Sequence, residues 1–233
     1  MYLKRLHGWK LTTAEAKELQ LKLAGQVLHE EGTIQPSLVA GLDISVKRDR
    51  KTATGAAVVL SYPEMKLVET SVVGGEMEFP YVPGYLSFRE APLMLEALER
   101  LKNEPDLVLV DGQGIAHPRR MGLAAHLGLF LNRPTIGCAK SPLCGKFEMP
   151  GNEPGDFSEI KDGDETIGAV LRTRKDVKPL YISVGNRITL DEAVRQVINC
   201  CRGYRLPEPT RLAHQVAGGS LNKNQKAAYA KSD

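Results

Sequence analysis

The chain has 233 residues, of which 42% are hydrophobic and 25% are charged, and it carries a formal net charge of +3 at pH 7. These values are typical of a globular protein with its own core, and the small positive charge permits nucleic-acid binding without demonstrating it. No apolar run approaches the length of a membrane span. The N-terminus MYLKRLHGWK also lacks the apolar segment of a secretory signal. We therefore predict a cytoplasmic protein.

The cysteines argue for the same compartment. Cys138, Cys144, Cys200 and Cys201 form no CxxC pair and no Cys/His spacing of the kind that binds zinc. A disulfide framework in a chain of this length would use more of them, so we expect reduced thiols.

The first part of the chain predicts a helix followed by a sheet. Apolar residues recur on one face of residues 13–31, with Thr12 or Thr13 as a suitable N-cap. Three apolar segments that follow are predicted strands: 37–46, 52–63 and 66–76. The short turn around Pro63 favours a hairpin between the last two. This order predicts an antiparallel meander of three strands.

The rest of the chain alternates between helices and strands. The predicted helices are 91–103, 121–130, 189–201 and 207–217, and the predicted strands are 106–114, 135–140, 167–174 and 179–185. Thr189 and Glu192 have the spacing of a capping box, and residues 141–163 predict irregular chain with one short hairpin. The fold class is therefore α/β, with a mixed central sheet flanked by helices on both faces. We expect one domain over residues 1–217 and a flexible, basic C-terminal tail over 218–233.

Three carboxylates are in unusual places for acids. Asp43 lies inside the apolar strand AGLDIS, Asp111 ends the apolar run LVLVDG, and Glu90 lies near the start of a predicted helix. An acid within an apolar strand must be desolvated or partnered, and a hard cation is a suitable partner. A Mg²⁺ ion held there could activate water and stabilise the leaving oxygen of a phosphodiester cleavage.

Each acid also has a simpler interpretation. Asp43 could reach solvent from an edge strand, and Asp111 could be a turn residue. Glu90 could close a capping box with Ser87 as the N-cap. Pro92 argues against that cap, because proline beyond the first turn costs a hydrogen bond. A helix that starts near 89–91 suits Pro92 better, and both starts stay open at this point.

The glycine-rich segment DGQGIAHPRRMG, residues 111–122, is the second candidate site. Its spacings fit neither a P-loop nor a dinucleotide fingerprint, but its glycines would allow close approach of a ligand. The segment carries His117, and its arginines, Arg119 and Arg120, could bind phosphates, whereas the simpler interpretation is a basic surface loop. Lys140 ends a predicted buried strand at the same edge as Asp111, and His214 lies on the last predicted helix. The simpler interpretations are an exposed lysine and a structural histidine.

The segment FPYVPGYLSFRE, residues 79–90, is more elaborate than a connection between a strand and a helix requires. Pro80 and Pro83 stiffen the chain on both sides of Tyr81, and Glu90 follows shortly after.

Taken together, these segments resemble the endonuclease V family, inosine-directed DNA repair nucleases with a ribonuclease-H-like fold. The resemblance spans nearly the whole chain, in the family's order, through VAGLDIS (39–45), FPYVPGYLSFRE (79–90), LVDGQGIAHPRRMGLAAHLG (109–128), PTIGCAKSPLCG (134–145) and RLPEPTRLAH (205–214). One departure is Asn186, at a position where many members have histidine. It puts any role for that position in doubt.

The resemblance implies a role for each candidate residue. Asp43, Glu90 and Asp111 would be the metal-centred acids, with Asp43 and Asp111 as direct ligands and Glu90 either a ligand or an acid that acts through water. Lys140 would stabilise the charge of the scissile phosphate, and His214 would lie near the metal and the attacking water. Tyr81 would be the tip of a wedge that opens the duplex, and the flipped base would enter a pocket at Gly84, Leu86 and Gly112. The full substrate-binding set is Tyr81, Pro80, Pro83, Gly84, Leu86, Arg89, Gly112, His117 and Arg119.

The resemblance also implies the reaction. A monomer that uses Mg²⁺, for which Mn²⁺ can substitute, would cut DNA containing deoxyinosine at the second phosphodiester bond 3′ to the lesion. The products would carry 3′-hydroxyl and 5′-phosphate ends. An inosine-specific endoribonuclease and a non-catalytic nucleic-acid-binding module are the alternatives, and a general ribonuclease-H-like resolvase is disfavoured by the wedge segment.

Overall fold

The protein was analysed as a computed structural model, which describes residues 1–29 and 33–220. The first part contains one helix and three strands: α1 (Thr13–Ala24), β1 (Leu38–Val46), β2 (Thr52–Ser61) and β3 (Leu67–Glu76). Next come α2 (Leu86–Glu99), β4 (Leu107–Val110), α3 (Leu123–Leu131) and β5 (Thr135–Ala139). The last part contains β6 (Phe157–Asp162), β7 (Glu165–Leu171), β8 (Leu180–Asn186), α4 (Leu190–Asn199) and α5 (Glu208–Ala217).

All eight of these strands form one mixed sheet, in the order β3-β2-β1-β4-β5-β8-β7-β6. β1, β2 and β3 form the predicted antiparallel meander. β4 and β5 add to β1 in parallel, and β8 then runs antiparallel to β5. The carboxyl ends of β1, β4 and β5 therefore meet at the same edge of the sheet, which is where a ligand site is expected in such folds. The predicted α/β class with a mixed sheet is confirmed.

Side chains of the central strands alternate between two cores, one on each face of the sheet. On one face, Val39 and Leu109 pack in the same core as Leu212 of α5. On the other, Leu42 packs in the same core as Met94 of α2. This alternation is the period-2 pattern of a strand buried on both faces, and it explains why helices cover both sides.

α5 lies directly on β1 because Gly41 has no side chain. A Cβ atom at Gly41 would lie 2.0 Å from the carbonyl oxygen of Pro209, so a larger residue would push the helix away. This close approach brings the face of α5 that carries His214 over the strand that carries Asp43.

The helix starts differ from the prediction in one important place. α2 begins at Leu86, and Pro92 lies inside the helix. Tyr85 is at the N-cap position, but its side chain makes no capping hydrogen bond. Both predicted starts, the Ser87 cap and a start near 89–91, are therefore wrong. Contacts from distant parts of the chain hold the first turn instead: the Arg89 guanidinium donates to the carbonyls of Phe79 and Arg50.

Smaller differences occur elsewhere. α1 ends at Ala24 instead of 31, although Thr12 does cap it through a full capping box. Thr189 accepts the N–H of Glu192 as predicted, but the Glu192 side chain bonds Gln196 and does not complete the box. The hairpin predicted within 141–163 is formed by β6 with β7 and so extends to residue 171.

The predicted boundaries of the domain stay a prediction, since most of the proposed tail, residues 221–233, lies outside the described residues. Within the described part of the chain, no helix is both long enough and apolar enough to cross a membrane.

Candidate active site

Asp43 and His214 form a pair between β1 and α5. The Oδ2 atom of Asp43 lies 2.6 Å from Nδ1 of His214, and its Oδ1 accepts the N–H of Ile44 at 2.7 Å. The aspartate is buried, whereas 61% of the His214 side chain is exposed. Burial, followed by repulsion from Asp111, raises the pKa of Asp43. The imidazole is therefore held at its Nδ1 side, and the rest of the ring faces solvent.

Asp111 and Lys140 form a second pair at the same edge. Asp111 directly follows β4, and its N–H donates to the carbonyl of Leu42 in β1 at 3.1 Å. Lys140 directly follows β5, and its ammonium pairs with Oδ2 of Asp111. The parallel pairing of β4 and β5 explains why residues 29 positions apart meet here. Lys140 is thus positioned to place a positive charge beside the acids.

Glu90 completes the group of acids from the first turns of α2. Its side chain is buried, and burial together with the nearby Asp43 and Asp111 raises the pKa of Glu90 to about 8. Its carboxylate accepts no hydrogen bond from the residues that the structure describes. Asp43, Asp111 and Glu90, which together form the acid cluster, are therefore close enough for their charges to repel one another, and Lys140 pairs with one of the three.

The donor atoms at this edge fit a divalent cation. One atom each from Asp43, Asp111 and His214 lies within 4.8 Å of the others. Glu90 is not one of the three residues whose donor atoms converge, whereas His214 is. Whether Glu90 would bind a cation directly or through water stays a prediction. Carboxylate oxygens suit Mg²⁺ and Mn²⁺. A cation here would offset the burial and the mutual repulsion that raise the pKa of Asp43 and of Glu90.

A cavity of about 360 Å³ opens beside the acids. It is lined by most of the residues that were predicted to bind substrate, and by Asp111 of the acid cluster with its partner Lys140: Tyr81, Pro83, Gly84, Leu86, Gly112, His117, Asp111 and Lys140. Tyr81 stands at the rim with 74% of its surface exposed. Three predicted substrate-binding residues, Pro80, Arg89 and Arg119, do not line this cavity.

Arg89 and Arg119 have structural partners. Arg89 is buried, and its guanidinium ties residues 50 and 79 to α2, as described above. Arg119 donates to Gly84 and Gln20 and lies 4.4 Å over the ring of Tyr85. Both arginines therefore hold protein groups together, Arg89 at the start of α2 and Arg119 at Gly84. Neither of them lines the cavity.

The carbonyl of Gly84 is the central atom of that support. It accepts from Nε2 of Gln20 at 3.0 Å, from Nε2 of His117 at 3.0 Å and from Arg119 at 2.7 Å. His117 Nδ1 accepts the N–H of Arg119, which places the imidazole proton on Nε2. Burial lowers the pKa of His117 to about 4, so the ring is neutral. Gly84 has a φ of +79°, a conformation that favours glycine.

A chain of polar side chains supports the start of α2. Nδ1 of His7 donates to the carbonyl of Gly8, so Nε2 of His7 accepts from Nε2 of His126 at 2.7 Å. The free Nδ1 of His126 then accepts from the hydroxyl of Ser87, 3.0 Å away, in the first turn of α2. Ser87 also lines the cavity. This chain fixes the cavity wall from the N-terminal segment.

Sequence reasoning did not identify Gln20, Ser87 in this role, or His126. Gln20 is a polar residue on an amphipathic helix, and nothing near it in sequence indicates that it is buried against Gly84, 64 positions away. The only available signal was His126, a histidine within an otherwise apolar helix.

Asn186 lies far from the acids. It pairs with Thr135 at the start of β5, at the sheet edge opposite Lys140. Its amide accepts the N–H of Leu28 and donates to the carbonyl of Gly128, so in this structure it joins secondary-structure elements.

Comparison with known proteins gives a consistent result. The endonuclease V family model matches residues 21–215. Endonuclease V from Dehalococcoides mccartyi (strain ATCC BAA-2100 / JCM 16839 / KCTC 5957 / BAV1) is 53% identical over 216 residues, which cover 92% of this chain and 96% of that protein. The crystal structure of endonuclease V from Streptomyces avermitilis has a TM-score of 0.87 and 39% identity, over 95% of this chain and 98% of that chain.

A third relative was solved with nucleic acid. Endonuclease V from Ciona intestinalis, in complex with a 24mer DNA containing an inosine followed by a ribo-adenosine, has a TM-score of 0.78 and 29% identity. The match covers 91% of this chain and 98% of that chain. The fold of these neighbours is ribonuclease-H-like, as expected from the sequence. The matched family model and the extent of these similarities show that this chain belongs to the endonuclease V family.

Proposed function

We propose that this chain is a Mg²⁺-dependent DNA repair endonuclease that recognises deoxyinosine and hydrolyses the second phosphodiester bond 3′ to it. The products would carry 3′-hydroxyl and 5′-phosphate ends, and Mn²⁺ would substitute for Mg²⁺. The observation that carries the proposal is the shared wall of the two sites. Asp111 belongs to the acid cluster, Lys140 pairs with it, and both residues also line the cavity at whose rim Tyr81 stands. A base held in that cavity would have its own strand beside the acids.

The cavity suits a flipped base. Extruding a base costs a few kcal/mol and least at a mispaired or damaged position, which gives selectivity before any contact in the pocket. Tyr81 is exposed at the rim and lies between two prolines. Its ring would act as a wedge that fills the space left by the flipped base. Backbone groups near Gly84 and Leu86 can distinguish the O6 acceptor of hypoxanthine from the amino donor of adenine. The inosine-containing DNA bound by the Ciona intestinalis relative supports this choice of substrate.

The acid cluster suits hydrolysis of a phosphodiester. Asp43 and Asp111 would hold the cation, with His214 beside it. Glu90 would orient a water molecule next to the cation. The bound cation would lower the pKa of a water molecule and neutralise charge on the phosphate. With its proton on Nδ1 toward Asp43, His214 presents a free Nε2 that can accept a proton from the attacking water. Lys140 would exchange part of its pairing with Asp111 for the phosphate oxygens.

The test uses three oligonucleotides of matched sequence: DNA with one deoxyinosine, RNA with one inosine, and unmodified DNA. We expect cleavage of the deoxyinosine strand with Mg²⁺ or Mn²⁺, none in EDTA and none of unmodified DNA. Sizing the products against a ladder and testing them for ligation would establish the cut position and the 5′-phosphate. Much faster cutting of RNA would replace the proposal with an inosine-directed ribonuclease. Binding without cutting would indicate a non-catalytic module.

The matched variants are Asp43→Ala and Asp111→Ala. We expect both to lose cleavage and to keep binding to deoxyinosine DNA, because the cavity does not depend on their charge. Full nuclease activity in either variant would remove the acids from the mechanism.

A further inference from the structure

A second groove, of about 370 Å³, adjoins the cavity of the candidate active site, and its lining does not include Gly84 or Tyr81. The two share the short segment Lys140, Ser141 and Pro142. The groove lining contains three cations, Lys140, Lys178 and Arg205, and it contains no carboxylate. An anionic, extended ligand that passes Lys140 would therefore meet both cavities.

The sheet topology explains why this groove lies at the catalytic edge. Tyr181 of β8 pairs with Ala139 of β5, and Leu180 pairs with Leu171 at the end of β7. The connection between β7 and β8, residues 172–179, consequently lies just beyond the carboxyl end of β5. Lys178 is in this connection, beside Lys140 and outside the same edge of the sheet as Asp111.

Two cations that line the groove, Lys178 and Arg205, differ from the nearby Arg120 in the charge of their partners. Arg120 is neutralised by Asp162 and Glu165. Within the part of the chain that the structure describes, Arg205 donates to two neutral groups, the carbonyls of Lys140 at 2.7 Å and Pro179 at 2.8 Å, and to no carboxylate. Lys178 is exposed and has no carboxylate partner among residues 1–29 and 33–220. Two positive charges are thus left for an anion from outside.

We propose that this groove binds the sugar-phosphate backbone of the substrate strand on the 3′ side of the cut, with Lys178 contacting a phosphate. This rests on the proposed function, which places the base in the first cavity and the scissile phosphate beside Asp111 and Lys140. Since the cut is 3′ to the base, a strand that has passed Lys140 enters the groove with its 3′ segment. Arg205 holds the backbone of Lys140 and Pro179, so it fixes the width of the groove.

The test measures kcat/KM for cleavage of single-stranded deoxyinosine oligonucleotides in Mg²⁺ over a range of salt. One oligonucleotide has a long 3′ flank, one ends a single nucleotide beyond the cut, and a third has a shortened 5′ flank. The variants are Lys178→Gln, Lys178→Arg and the matched control Lys66→Gln. Lys66 is an exposed lysine in the β2–β3 turn, at the opposite end of the sheet.

We expect Lys178→Gln to lower kcat/KM several-fold on the long 3′ flank and to have no effect on the oligonucleotide that ends near the cut. The slope of log kcat/KM against log salt should become shallower by about 0.7 for the phosphate contact that is lost. Lys178→Arg should retain the parental values, and Lys66→Gln should match the parent. The single-turnover rate at saturating enzyme should not change, because Lys178 does not touch the acids.

Parental kcat/KM and salt slope in Lys178→Gln on the long 3′ flank would overturn the proposal. An effect that follows the 5′ flank would overturn it as well. Failure of the proposed function would look different: the parent protein would cut none of the deoxyinosine strands.

Discussion

The acid cluster lies beside a second group of residues, the Gly84 support, which consists of the Gly84 carbonyl and its donors Gln20, His117 and Arg119. The two groups differ in how well their polar atoms are partnered. At the acids, burial and mutual repulsion raise the pKa of Asp43 and of Glu90, and Lys140 pairs with only one of the three. At Gly84, one carbonyl accepts from three donors, and one of these, Gln20, also donates to Met121. The first region lacks positive charge, whereas the second has its polar groups satisfied.

The difference indicates how the work is divided. Buried carboxylates without enough partners are destabilising by themselves and gain most from a cation. A carbonyl held by several donors keeps one shape before and after a ligand arrives. We therefore expect charge changes at the acids to affect chemistry without reducing stability. Changes in the support should reduce stability and selectivity and leave cation binding intact.

The largest expected effect comes from Asp43→Asn, which removes a charge and keeps the shape. Cleavage of deoxyinosine DNA should fall by about 10³-fold or more, since several kcal/mol of charge stabilisation would be lost. The unfolding temperature in EDTA should be unchanged or higher, because a desolvated carboxylate has been neutralised. Single-turnover cleavage and thermal unfolding measure the two effects. The control is Glu64→Gln, an exposed acid at the other end of the sheet, and a marked loss of stability in Asp43→Asn would contradict the comparison.

Low pH should destabilise the folded protein through His126, which supports the start of α2 through Ser87. Burial lowers the pKa of His126 to about 3, from an ordinary 6.5. Below pH 6.5 the unfolded chain binds a proton that the folded chain does not, so this contribution is complete above 6.5 and is lost as pH falls toward 3. The loss is up to about 1.4 kcal/mol for each pH unit. Denaturant unfolding from pH 6.5 to 4.5 should be less pH-dependent in His126→Gln than in the parent, and equal slopes would exclude this origin.

Gln20→Leu should remove one of the three donors to the Gly84 carbonyl. The variant removes the hydrogen bonds to Gly84, Met121 and Arg119, and it should lose roughly 1–3 kcal/mol of unfolding free energy. Discrimination between deoxyinosine and deoxyadenosine should fall with it, while Mg²⁺ should still raise the unfolding temperature. Gln26→Leu, a change of an exposed glutamine, is the control. Parental stability and selectivity in Gln20→Leu would show that the support is dispensable.

The smallest effect is expected from Tyr81→Ala. Because this side chain is 74% exposed, stability should change by no more than about 0.5 kcal/mol. Binding of duplex deoxyinosine DNA should weaken by roughly 1 kcal/mol, the scale of one stacking contact, and binding of single strands should weaken less. Equal affinity and activity on duplex DNA in variant and parent would show that the wedge assignment is wrong.

Much of the fold could be predicted because the signals are local. The strand LVLV shows a continuous apolar run, and the meander shows short apolar segments separated by a turn. The start of α2 could not be predicted, since Arg89 reaches carbonyls 10 and 39 positions away and so stabilises a first turn that has no cap of its own.

The candidate site divides in the same way. Asp43 and Asp111 are noticeable in sequence because acids are rare in apolar strands, and parallel pairing then brings their strands together. Gln20 gave no signal, because its function as a support depends on partners at 84, 119 and 121 that only the folded chain brings near. Arg89 and Arg119 were predicted to contact substrate, because arginines in a candidate binding segment suggest phosphate contacts, yet in the structure both donate to protein groups.

The most direct test of the central claim, that the acids form an incomplete site which a cation completes, is thermal unfolding during a titration with Mg²⁺. The unfolding temperature of the parent should rise with Mg²⁺ concentration and return to its starting value in EDTA, because a ligand that binds only the folded state stabilises it. Asp43→Asn should show little or no rise over the same range. An equal rise in both proteins, or no rise in the parent, would contradict the account.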